Sequence, residues 1–97
     1  MEHLAKIELI GRVANVTESI VSGLKHYRFG LGVDTVFDGP GGGMTKTSWF
    51  NCTYWGSSEK ICTGGEVHLE GRMTSETYND LNGSPRTYYE VKVQKIW

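Results

Sequence analysis

The sequence predicts an all-β domain, one small barrel of five strands. Three observations carry this. Apolar residues recur at every second position in five separate runs, Gly is abundant at 13 with Pro at only 2, and the stretches between the runs are rich in turn residues. At 97 residues the chain has room for one modest core, so residues 1–97 are read as a single domain.

Each element follows from its residues. The first run, Ala5 to Val16, sets Ile7, Leu9, Gly11 and Val13 against Lys6, Glu8, Ile10 and Arg12. The second, Leu24 to Phe37, alternates most cleanly: Tyr27, Phe29, Leu31 and Val33 share one face, and His26, Arg28, Gly30 and Gly32 the other. The stretch "DGPGGGM" that follows holds four glycines and a proline, which cost backbone entropy and remove an amide donor. It is expected to be the tip of a long, mobile hairpin loop. A phosphate-cradling loop would need a "GK[ST]" ending and a helix after it, and has neither.

The third run, "TKTSWFNCTYWG", splits by period 2 into Trp49, Asn51, Thr53 and Trp55 on one side and Phe50, Cys52 and Tyr54 on the other. After it, "GSSEKICTGG" offers Ser57 or Ser58 as a helix cap and a glycine pair as a stop, with room for little more than one helical turn. A fourth run sets Val67, Leu69, Gly71 and Met73 against His68, Glu70 and Arg72. The stretch "NDLNGSPR" is a turn, with Asn82-Gly83 favouring a tight reversal. The last strand, "TYYEVKVQKIW", carries Tyr89, Val91 and Val93 on its apolar side. Five strands with a short helix between the third and fourth is the plan of an OB-fold barrel. A barrel of the SH3 type fits the strand count but not the helix.

Composition narrows the function classes. The N-terminus has Glu2 and no long apolar run, and no segment approaches the roughly 20 apolar residues of a membrane span. The expected location is therefore cytoplasmic, at the nucleoid, and the acceptor patterns at Asn15 and Asn51 are taken as coincidence. Cys52 and Cys62 are too few and too far apart for a disulfide framework, and with His26 and His68 they form none of the usual close zinc-ligand pairs. No metal or cofactor is expected. No Ser-His-Asp or Cys-His arrangement points to catalysis, and Glu70 and Glu90 read as solvated carboxylates.

The net charge of −1 counts against nucleic-acid binding unless the basic residues gather on one face. The third strand supplies the counter-argument. Phe50, Cys52 and Tyr54 form an uninterrupted low-polarity set fit for the core, whereas Trp49 and Trp55 share their face with Asn51 and Thr53. The tryptophans therefore face outward, where a large apolar surface calls for a partner. A subunit interface or the glycine loop could cover them. Alternatively they stack on unpaired bases, each worth roughly 1–3 kcal/mol. Arg28 and Arg72 come up on the outward faces of strands two and four, Lys46 sits at the base of the glycine loop, and Arg86 leaves the last turn. Aromatics interleaved with cations are what single-strand binding needs, although Glu70 beside Arg72 argues the other way.

The series "KIELIGRV", "TSWFNCTYWG", "EKI", "GGEVHLEGRM", "YNDLNGSPR" and "YYEVKV" resembles the OB-fold domain of bacterial-type single-stranded DNA-binding proteins over nearly the whole chain. The resemblance implies that Trp49 and Trp55 are stacking aromatics of the third strand, that Tyr78 is an aromatic at the start of the hairpin between strands four and five, and that Phe37 is a fourth at the end of strand two. It also implies a homo-oligomer, usually a tetramer with a dimer as the alternative, in which the "KIELIGRV" segment is partly buried between subunits.

Two departures stand out. The link "SSEKICTGG" is shorter than the family's usual helix, and the sequence stops at Trp97, where typical cellular members continue into a flexible tail with an acidic tip that recruits replication and repair enzymes. The expectation is a trimmed chain or a phage, plasmid or specialised member without that recruiting tail. The function expected is sequence-tolerant protection of single-stranded DNA in replication, recombination or repair. The alternative is a dimeric, primosome-type assembly module for which DNA is secondary.

Overall fold

Strict alternation of apolar and polar residues produces strands, and in the computed structural model, which describes residues 3–97, there are five. They are β1 (Lys6–Val21), β2 (Leu24–Gly39), β3 (Gly42–Trp55), β4 (Glu66–Asn79) and β5 (Pro85–Ile96). They close into a barrel in the order β1-β2-β3-β5-β4. All neighbours are antiparallel except β3 and β5, which run parallel and share only two register pairs, Cys52 with Val91 and Thr53 with Lys92. This is the five-stranded barrel of the OB-fold.

Within the barrel the inward faces are those the periodicity predicts. Leu9, Val13, Tyr27, Phe29, Leu31, Cys52, Val67, Leu69, Val91 and Val93 fill the barrel, with Ile7, Val33, Phe50, Tyr54 and Met73 packed around them. Leu31 and Leu69 are completely excluded from solvent. Truncating either to Ala would cost about 2–5 kcal/mol, a large share of the roughly 5–15 kcal/mol that holds a domain folded.

The expected short helix does not form. The backbone of the segment is drawn to β1 instead: Gly64 donates to the Val13 carbonyl and the Gly65 carbonyl accepts from Val13, both at 2.8 Å. Within the segment only single turns close, Cys62 onto Lys60 at 3.1 Å and Gly65 onto Cys62 at 3.0 Å. Ser58 caps one such turn, through Lys60 N at 3.3 Å, rather than a helix. Ile61 is pushed into the barrel end as a plug.

The long glycine loop is also corrected. The β2–β3 ladder continues through it to Gly39 opposite Gly42, which leaves only Pro40 and Gly41 as a turn. Proline fixes the first corner and Gly41, at φ 94°, supplies the positive φ of the second. These glycines do not forbid a strand here but let two strands meet tightly.

Strands of 12 to 16 residues are longer than a barrel this small can wrap, so three hairpins project from it as arms. The β1–β2 arm ends in a Ser22-Gly23 turn, both at positive φ, of the kind that matches strand twist. The β2–β3 arm carries Val36, Phe37 and Met44, and the β4–β5 arm carries Tyr78, Leu81, Tyr88 and Tyr89, all exposed. No helix of the described residues is long and apolar enough to cross a membrane.

Candidate nucleic-acid interface

β3 builds the centre of the site. Its inward residues Phe50, Cys52 and Tyr54 belong to the core or pack on it, and the pleat then turns Trp49, Asn51, Thr53 and Trp55 to the outer face, where Thr53, expected in solvent, is nonetheless buried. Trp49 is 59% and Trp55 54% exposed, which is a large apolar surface to leave in water.

Each ring is seated by β2. Trp49 lies opposite Gly32 in the ladder, and a Cβ on Gly32 would stand 3.0 Å from the indole Cη2. The ring therefore lies over the backbone of Gly32 and Gly30, and at Gly32 a side chain would crowd it, whereas a Cβ on Gly30 would stand at an ordinary 3.6 Å. Trp55 lies opposite His26, with ring centroids 4.4 Å apart and planes tilted by 49°.

Beside Trp49 the sheet opens, because β3 and β5 part company after their two shared pairs. The cleft of about 390 Å³ is walled by Trp49, Asn51, Met73, Thr87, Tyr88 and Tyr89. A second hollow brings Tyr88 together with Arg28, Gly30 and Asn51. Tyr88 is thus an aromatic of the site that sequence reasoning missed. Its parity, opposite to that of Val91 and Val93, was the available signal. Tyr89, expected on the apolar side, is exposed because at that point β5 has left the barrel and its inner face has no core to meet.

The other expected site residues fall into two groups. On β4 and β5, Tyr78 pairs with Arg86, Glu76 with Tyr88 and Arg72 with Lys92, so Tyr78, Tyr88, Arg72 and Arg86 share the outward face. Arg28 is outward on β2, opposite Thr53. By contrast, Phe37 pairs with Met44 and Lys46 with Thr35, in the parity of Leu31 and Phe50. They occupy the side of the β2–β3 ribbon away from Trp49, and Lys46 is a strand residue rather than the base of a loop.

Ion pairing sorts the cations. Lys6 holds Glu70 at 2.8 Å, Lys25 holds Glu18 at 3.0 Å and Arg86 holds Asp80 at 3.0 Å. The Glu70 and Glu18 partners raise the two lysines above their ordinary value. Asp80 is held below the usual carboxylate range by the Ser84 amide first, then by Arg86 and the Asn82 amide. Arg86 is therefore committed to its own turn. Arg28, Lys46, Arg72 and Lys92 have no ion-pair partner among the described residues, which leaves them available to phosphate despite the net charge of −1. Among the described residues no group of three or more His, Cys, Asp or Glu is gathered for a metal.

The profile of the single-strand binding protein family matches residues 4–97. The chain belongs to that family. It is accordingly a single-stranded DNA-binding OB-fold protein and not an enzyme. Among solved structures, it is similar to a Plasmodium falciparum SSB in complex with ssDNA, with a TM-score of 0.77 at 22% identity over 97% of this chain and 90% of that one. It is also similar to a small single-stranded DNA-binding protein from Streptomyces coelicolor, with a TM-score of 0.80 at 19% identity over 99% of this chain and 94% of that one. No curated protein matches the chain by sequence. The primosome-type alternative gains no support from the single-strand binding family match.

Proposed function

We propose that this member of the single-strand binding family holds DNA by stacking bases on Trp49, Trp55, Tyr78 and Tyr88 while Arg28 takes phosphates beside the tryptophans and Arg72 takes them farther along a longer strand. The observation that carries this reading is the pair of tryptophans, each more than half exposed, on a strand whose opposite face fills the core. Stacking is indifferent to base identity, because every base has a π-face worth roughly 1–3 kcal/mol. Binding is therefore sequence-tolerant, as protection of single strands in replication, recombination or repair requires. Phe37 and Lys46 extend the surface along the β2–β3 arm as a strand wraps its edge, and Arg86 contributes less because Asp80 already holds it.

The working unit is a homo-oligomer, tetrameric by resemblance, acting at the nucleoid. Ile10 supports a subunit contact: it is 57% exposed on β1 beside His68, whose ring stacks on Trp97 at 3.9 Å. Sedimentation of the free protein followed by titration with oligo(dT) tests both parts. A tetramer that binds oligo(dT) supports the proposal, and a dimer with weak binding to it favours an assembly module.

A further inference from the structure

The barrel register aligns basic residues that are far apart in sequence. Across the sheet, Arg28 lies opposite Thr53, Thr53 opposite Lys92, Lys92 opposite Arg72 and Arg72 opposite Lys6. One row perpendicular to the strands therefore carries four cations. Lys6 is occupied by Glu70, whereas Arg28, Lys92 and Arg72 are exposed and without an ion-pair partner among the described residues. Thr53, small and buried, forms a low floor between Arg28 and Lys92.

Neighbouring strands stand about 4.8 Å apart, so the cations are spaced by about 10 and about 5 Å along the row. The row passes between the tryptophans, two residues from Trp55 and four from Trp49. It then leaves the aromatic strand altogether. It does not close into a ring, because barrel strands tilt: it meets β1 at Thr17 beside Arg28 and at Lys6 beside Arg72. It is a spiral path. The flanking row on β5 and β4 holds Glu90 opposite Thr74, a carboxylate that repels phosphate and so bounds the path on one side.

We propose that this row is a phosphate track that carries a bound single strand off the tryptophan face, across β5 and onto β4, with Lys92 as its middle cation. The inference rests on the single-strand reading above and adds to it a direction and a second, ring-free segment of the site. A long strand uses the whole track. A short one is held by the aromatic face alone.

The test measures the salt dependence of binding for oligo(dT) of about 5 and about 16 nucleotides, near the two ends of what one OB barrel covers. Wild type is compared with Lys92→Gln, Arg72→Gln, the double variant, and Lys60→Gln, which removes an exposed cation off the row. Loss of each track cation should make the negative slope of log K against log salt shallower by about 0.7 on the long strand, leaving the short strand and Lys60→Gln at wild-type slopes. Glu90→Gln should tighten the long strand only. A wild-type slope for the double variant on the long strand overturns the track. So does an equal loss on the short strand, which would put both cations in the aromatic site, or an equal loss in Lys60→Gln, which would make the effect one of net charge. Failure of the wild type to bind either length is a different result, and overturns the single-strand reading itself.

Discussion

The indole of Trp49 lies over the backbone of Gly32, its ladder partner on β2, at a distance where a Cβ would stand 3.0 to 3.3 Å from three ring atoms. Gly32 is not at positive φ, so alanine is compatible with the backbone and acts on the ring alone. Gly32→Ala should lift or tilt the indole and weaken oligo(dT) binding by up to the roughly 1–3 kcal/mol of one stacked base, with little change in thermal midpoint. Gly30→Ala, whose Cβ would sit at an ordinary 3.6 Å from the ring, should bind nearly as wild type. Fluorescence titration and melting of both variants check this, and wild-type affinity in Gly32→Ala would show that the flat seat is irrelevant.

The two thiols should behave as opposites. Cys52 lies in the core, where burial first and the charge of Glu90 second push its thiol up to about 12, while Cys62 is exposed. The thiolate is the reactive form. A thiol reagent at neutral pH should therefore label one cysteine per chain in the native protein and two in denaturant. Rapid native labelling of both would contradict the packing of β3.

The β4–β5 arm is tied by Asp80, which accepts from the amides of Asn82 and Ser84, both at 2.9 Å, and from Arg86 Nε at 3.0 Å. Because the folded carboxylate is held below its ordinary 3.8, its contribution is complete above that value and is lost as pH falls through the depressed folded one. Asp80→Asn should melt lower than wild type at neutral pH, and the gap should close on acidification. A gap independent of pH would mean that charge is not what holds the turn.

Much of this was legible in the chain. Inside the barrel every second residue meets the core, so period 2 separated Phe50 and Cys52 from Trp49 and Trp55 and put Tyr27, Phe29 and Leu31 on one face. In the arms that link breaks, because neither side of the ribbon has a core to meet. There the alternation wrongly assigns Tyr89 to the core and does not mark Tyr88. Lys92 was invisible for another reason: its alignment with Arg28 depends on the parallel β3–β5 contact, which no local pattern encodes. The expected helix has its caps and stops in the sequence, but the partner that competes for its backbone, Val13, lies about fifty residues earlier in the chain. The glycine-rich turn is shorter than its composition suggests because flexible residues also make the tightest reversals.

The central claim is that bases stack on Trp49 and Trp55, and Trp97 provides an internal control, since its ring is already stacked on His68 away from β3. Tryptophan fluorescence should be titrated with oligo(dT) in wild type, in Trp49→Ala, in Trp55→Ala and in the double variant, which keeps Trp97. Quenching in wild type, a loss of roughly 1–3 kcal/mol in each single variant and disappearance of the quench in the double variant are the predicted results. Undiminished affinity in the double variant, with the quench carried by Trp97, would contradict the account.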